Sequence, residues 1–200
     1  RFEIVRWDLA MNLLLVGGTA FIGRAVVERA LELGHEVAIF HRGETEPEDL
    51  VDVLHIHGDN LDIADSLDEI KSFAPDAVID TTQGEVARTQ AVVDALTGMV
   101  NRYVLVSSKD VYLAYGRLHL TEPGPHQAVP ITEESALRSL PGLGHTEEID
   151  NLYIEKVALA QDELPVTVTR LPGVFGPRDY QRRIGNMIDK LEKSDGLVKL

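Results

Sequence analysis

"NLLLVGGTAFIGRAVVERALELG", residues 12–34, changes its period halfway along. Residues 12–18 form a short apolar run ending in two glycines, the pattern of a buried strand. From residue 21 to residue 34 the apolar positions Ile22, Val26, Ala30 and Leu33 recur at helical spacing, and Gly34 supplies a stop. Strand, small-residue turn and helix in that order open a βαβ unit.

The alternation continues along the chain. Strands are expected at 35–41, 51–57, 76–82, 102–108 and 165–171. Helices are expected after residue 62 to about Phe73, and at 85–98, 145–164 and 180–193. Of these, 145–164 is the longest helix candidate, while the Pro- and Gly-rich stretch 113–144 reads mostly as loop. Strands alternating with helices at this spacing predict an α/β fold, a Rossmann-type doubly wound parallel sheet with helices on both faces.

Composition sets the bounds. The chain has 200 residues, 44% of them hydrophobic, enough to bury one good core. It has no cysteine, which excludes disulfides and thiolate chemistry. With 19 basic and 33 acidic residues the net charge is −14, and no basic run occurs, so nucleic acid is not an expected partner. The sequence has no apolar run of membrane-spanning length, and the expected compartment is the cytoplasm. Residues 1–10 read as a leader or tag-like segment before Met11, and 11–200 as a single domain.

The turn "VGGTAFIGR" (16–24) sits where a nucleotide-binding turn belongs. Small residues let the backbone approach a pyrophosphate, and the helix start offers free N–H groups and the positive end of its dipole. After the second strand, where an acidic residue would bind the ribose 2′-hydroxyl of NAD, the chain has His41-Arg42. Arginine suits a 2′-phosphate, so NADP is expected, with NAD the alternative because Glu44, Glu46, Glu48 and Asp49 lie close by.

These residues, with four further colinear segments, resemble the extended short-chain dehydrogenase/reductases, the NAD-dependent epimerase/dehydratase family. The segments are "HGD" (57–59), "YVLVSSKDVY" (103–112), "PITEES" (130–135) and "RLPGVFGPRD" (170–179). "FHRG" (40–43) is similar to the chloroplast stem-loop binding branch. The resemblance implies a cofactor site of Gly17, Gly18, Thr19, Ala20, Phe21, Ile22 and Gly23, with His41 and Arg42 at the adenosine ribose. Asp59 and Asn60 would lie by the adenine, and Thr81 and Thr82 by the nicotinamide-side ribose. It also implies hydride transfer on a nucleotide sugar or similar hydroxylated small molecule, by an oxidoreductase or isomerase, and a homodimer through 85–98 and 145–164. Members continue into a C-terminal substrate-binding portion, most of which is expected to be absent here.

Catalysis in the family uses a serine, a tyrosine and a lysine four positions after the tyrosine. Ser108 matches, but no tyrosine here has a lysine at i+4. Tyr153 and Lys156 are three apart, about 60° of helix rotation on the opposite side from the family's 40°. They are the candidate pair, with Lys156 also holding the cofactor ribose. The competing reading is a catalytically impaired nucleotide-binding regulatory or scaffold protein. Lys109, Asp110 and the histidines 119, 126 and 145 are lesser candidates for proton transfer. His55 and His57 alternate on one strand, and two ligands without a third do not make a metal site, so none is expected.

Overall fold

The computed structural model describes residues 9–45, 48–50, 53–82 and 84–193. Most of the expected leader and the first two residues of the expected third strand lie outside the described residues.

Six parallel strands form one sheet in the order β3-β2-β1-β4-β5-β6. They are β1 (Asn12–Val16), β2 (Glu36–His41), β3 (Leu54–His57), β4 (Ala77–Asp80), β5 (Arg102–Ser108) and β6 (Val166–Leu171). The helices are α1 (Phe21–Glu32), α2 (Leu67–Phe73), α3 (Val86–Leu96), α4 (Leu113–Leu118), α5 (Asn151–Leu159) and α6 (Arg183–Glu192). The order reverses between β1 and β4, the switch point at which doubly wound sheets open a crevice beyond the strand C-termini.

Helices cover both faces of the central strands, which is why β1, β2 and β4 read as largely apolar runs. Leu14, Val16, Phe40, Val78 and Leu105 pack under α3 and α5. Leu13, Leu15, Ile39 and Ala77 pack on the other side with Val27 and Ala30 of α1.

Two expectations need correction. The buried face of α1 is Gly23, Arg24, Val27 and Ala30, whereas Leu33 is exposed. Sheet contact selects the stripe one position away from the most hydrophobic one. The 145–164 helix shrinks to the nine residues of α5, because Asp150 caps the helix through the Leu152 N–H and so fixes its start. α1, at 12 residues, is longer. The 113–144 stretch is mostly loop, as expected, and opens with the short helix α4. No helix among the described residues is long and apolar enough to cross a membrane.

Candidate functional site

The turn after β1 is built for close backbone approach. Gly17 has φ +84°, and a Cβ there would lie 2.3 Å from Thr82 Cγ2. A Cβ on Gly23 would lie 2.0 Å from the Gly17 carbonyl oxygen, and one on Gly18 would crowd Val27 and Ile39. All three glycines are therefore demanded by packing as well as by any ligand. Ala20 precedes α1 and contributes no capping side chain, so the first-turn N–H groups have no side-chain acceptor there. Phe21 takes φ +39°, a conformation uncommon for a bulky residue, within this same turn.

Opposite the glycines, Thr81 donates its hydroxyl to the carbonyls of Val16 and Gly17 at 3.1 and 2.7 Å. Thr82 is held by Asp80, which accepts its N–H at 2.8 Å and its hydroxyl at 2.7 Å. Tyr103 donates to the other Asp80 oxygen at 2.7 Å, and Asn60 Nδ2 donates to Thr82 Oγ1, also at 2.7 Å. Burial pushes the Asp80 carboxyl up from its ordinary value, against the pull of these donors. Sequence reasoning missed Asp80 and Tyr103. An acidic residue ending the apolar strand "AVID" was the available signal.

A cleft of about 450 Å³ opens here, lined by Gly17, Thr19, Ala20, His41, Asn60 and Thr82 among others. Arg42 and Glu44 are at its edge and pair with each other at 2.9 Å. Asp59 is engaged elsewhere, accepting from Arg88 at 2.5 Å and from the Leu61 N–H at 3.0 Å. The Arg88 hydrogen bond holds its carboxyl below the ordinary range. Asn60, not Asp59, presents itself to the cleft.

The expected catalytic residues come together only loosely. Ser108 ends β5 and accepts the Asp110 N–H at 3.3 Å. Val111 and Tyr112, just after it, pack on Leu152, with Tyr153 beside them. Lys156 Nζ lies over the Tyr153 ring, 4.2 Å from its centroid. The phenol is not activated by this: partial burial, followed by a hydrogen bond to Glu147, pushes Tyr153 above its ordinary value.

The rotation of α5 explains the geometry. Its inward face is Leu152, Ile154, Glu155 and Ala158, while Ile149 and Leu159 are exposed. Glu155 is buried and takes a bidentate grip from Arg170 of β6, with contacts of 2.8 to 3.1 Å. It also accepts the Ser107 hydroxyl at 2.5 Å. Arg170 reaches on to the Tyr112 hydroxyl at 3.3 Å. A charged residue inside an amphipathic helix gave no sign of this from periodicity, since its partner is 15 residues away on a strand.

Of the lesser candidates, Lys109 donates to the Tyr115 hydroxyl, and Asp110 lies 4.0 Å from Arg138. His119 and His145 line a separate 250 Å³ pocket with Asp110 and Tyr115, while His126 lies outside it.

Comparisons with known proteins agree with this architecture. The family model described as the NAD dependent epimerase/dehydratase family matches residues 13–199. A chloroplast stem-loop binding protein of 41 kDa from Arabidopsis thaliana is 28% identical over 115 residues, covering 51% of this chain and 30% of that protein. Among solved structures, WbmG from Bordetella bronchiseptica in complex with NAD superposes with a TM-score of 0.71 at 22% identity, over 95% of this chain and 62% of that one. An NAD complex of dTDP-glucose 4,6-dehydratase from Bacillus anthracis gives a TM-score of 0.72 at 20% identity, over 92% and 62%. A UDP-glucose 4-epimerase from Brucella ovis with NAD gives 0.59 at 21%, over 80% and 51%. At these identities the structural likeness is one of fold. The chain spans less than two thirds of the length of each of these relatives.

Proposed function

The chain belongs to the NAD-dependent epimerase/dehydratase family, and from that premise we propose that residues 11–200 supply the NAD-binding domain of an enzyme that transforms a nucleotide sugar or similar hydroxylated molecule. The observation that carries this reading is the turn at 17–23, where Gly17 and Gly23 pack against Thr81 and Thr82 with no room for a Cβ, at the mouth of the switch-point cleft. Backbone N–H groups of Gly18 to Gly23 would hold the pyrophosphate, aided by the α1 dipole. His41 and Asn60 would border the adenosine, and Thr82, fixed by Asp80, the nicotinamide side. A nicotinamide cofactor held there would supply reversible hydride transfer.

The choice of NAD over NADP rests on Arg42. The sequence gives Arg42 a 2′-phosphate to meet, but Glu44 already pairs with its guanidinium and brings a negative charge to the same edge. The three NAD-bound relatives support the same choice.

Ser108 would hold the substrate oxygen. Tyr153, kept protonated by burial and Glu147, would act as the acid that delivers a proton to a carbonyl oxygen, with Lys156 packed over its ring to hold it in place. The nucleotide part of the substrate follows from relatives named for it, such as dTDP-glucose 4,6-dehydratase and UDP-glucose 4-epimerase. A net charge of −14 opposes RNA binding, despite the stem-loop binding relative.

Calorimetry with NADH and NADPH on the wild type and on Glu44→Ala tests the assignment. NADH should bind the wild type more tightly, and Glu44→Ala should gain NADPH affinity by freeing Arg42. If neither dinucleotide binds, the reading fails.

A further inference from the structure

Three histidines gather at the sheet edge, and of them His41 also borders the cleft. His55 and His57 alternate along β3, and the parallel register sets His41 of β2 directly beside His57. One ring nitrogen from each lies within 4.8 Å of the other two. His41 and His57 ring centroids are 4.8 Å apart, and those of His41 and His55 5.0 Å. Sequence reading found His55 and His57 and lacked the third ligand, because only strand pairing delivers it.

We infer that His41, His55 and His57 bind one divalent cation of the zinc class. Three neutral imidazoles converging from a strand and its neighbour are a borderline-soft, nitrogen-only set that selects zinc, cobalt, nickel or copper over magnesium or calcium. Zinc–nitrogen bonds of about 2.0–2.1 Å place tetrahedral ligand atoms roughly 3.4 Å apart, so small side-chain rotations close the site.

The surroundings already resemble those of a metal-binding histidine. The His55 ring meets the Leu50 carbonyl at 3.0 Å through Nε2, which turns Nδ1 inward, the outer-shell arrangement that fixes a ligating imidazole. His41 Nε2 is 2.8 Å from that inward Nδ1, so one proton occupies the space an ion would take. Replacing it shifts the His41 proton toward Nδ1, which now accepts the Gly43 N–H at 3.2 Å. The ion therefore breaks that hydrogen bond by setting N–H against N–H, and loosens the turn at Gly43, which leads into Glu44 and Thr45 of the cleft. Three protein ligands leave a fourth position open for water.

The test uses chelator-treated protein and the metal alone, without nucleotide, so its outcome is independent of the cofactor reading. Calorimetry with Zn²⁺ should show one saturable site. His57→Gln, at an exposed ring, should weaken it at least tenfold, while His126→Gln, outside the cluster, should leave it unchanged. Absence of saturable uptake, or uptake that His57→Gln retains, overturns the inference. Should His57→Gln fail to fold, the Co²⁺ spectrum of the wild type decides: intense tetrahedral bands support the site, and only weak octahedral bands refute it.

Discussion

Gly23 is the residue on which the phosphate turn depends most. A methyl there would meet the Gly17 carbonyl oxygen at 2.0 Å and Thr81 Oγ1 at 2.8 Å, so the turn itself must move. Gly23→Ala is expected to lose dinucleotide binding in calorimetry and to lower the melting temperature, since overpacking costs typically 1–3 kcal/mol. Tyr153 carries the second prediction at this scale. Its phenol is raised by burial and then by Glu147, so ultraviolet difference titration should find it ionising above pH 10, identified by its loss in Tyr153→Phe. Glu147→Gln should move that ionisation down, because a negative neighbour disfavours the phenolate. The close approach at the glycines was legible from sequence because their spacing is local. The consequences of moving the lysine from i+4 to i+3 were not legible, since they depend on how α5 is rolled against the sheet.

Two buried charge pairs set that roll and the position of the preceding loop. Glu155 ties α5 to Arg170 of β6. Asp150, the cap of α5, is fully buried and takes two contacts from Arg138, at 2.9 and 3.1 Å, besides the N–H groups of Gly142 and Leu152. Burial pushes its carboxyl up, but these donors more than offset that and leave it below its ordinary value. Arg138 also binds the carbonyls of Asp110 and Leu140 at 2.6 and 2.7 Å. A stretch read as loop is thus anchored to the strand end that carries Ser108. Arg138→Leu would strip the buried carboxylate of its guanidinium, leaving two N–H donors and the His145 ring at 3.3 Å, and a loss of roughly 3–5 kcal/mol is expected in denaturant unfolding. Little or no change in stability would show that the pair does not organise this loop.

At the scale of the molecule, the sheet is well covered at β1 and β2, while β6 buries none of its residues and a gap opens beside α1. There Phe21, Ile22, Val26, Val174 and Phe175 line an apolar depression, bridged by Arg178 pairing with Glu28 at 2.8 Å. The helix α6 buries none of its residues, although Ile184, Met187, Ile188 and Leu191 form an apolar stripe along it. Ile188→Glu is therefore expected to change unfolding free energy by no more than about 0.5 kcal/mol, while reducing the fluorescence of an apolar dye bound by the folded chain. A large loss of stability would mean that α6 packs on the sheet in solution.

Sequence alone determined the doubly wound sheet, its six strands and the glycine turn, because strand and helix periods and a turn's steric demands are properties of neighbouring residues. The family resemblance was legible for the same reason: its motifs are short and colinear. Tertiary structure decided which face of α1 and of α5 is buried, that Asp80 and Tyr103 hold Thr82, that Glu44 occupies Arg42, and that His41 joins His55 and His57. Several of these join residues far apart in the chain, and all depend on register and helix roll. Those are fixed by the packing of the whole core, which no local pattern encodes.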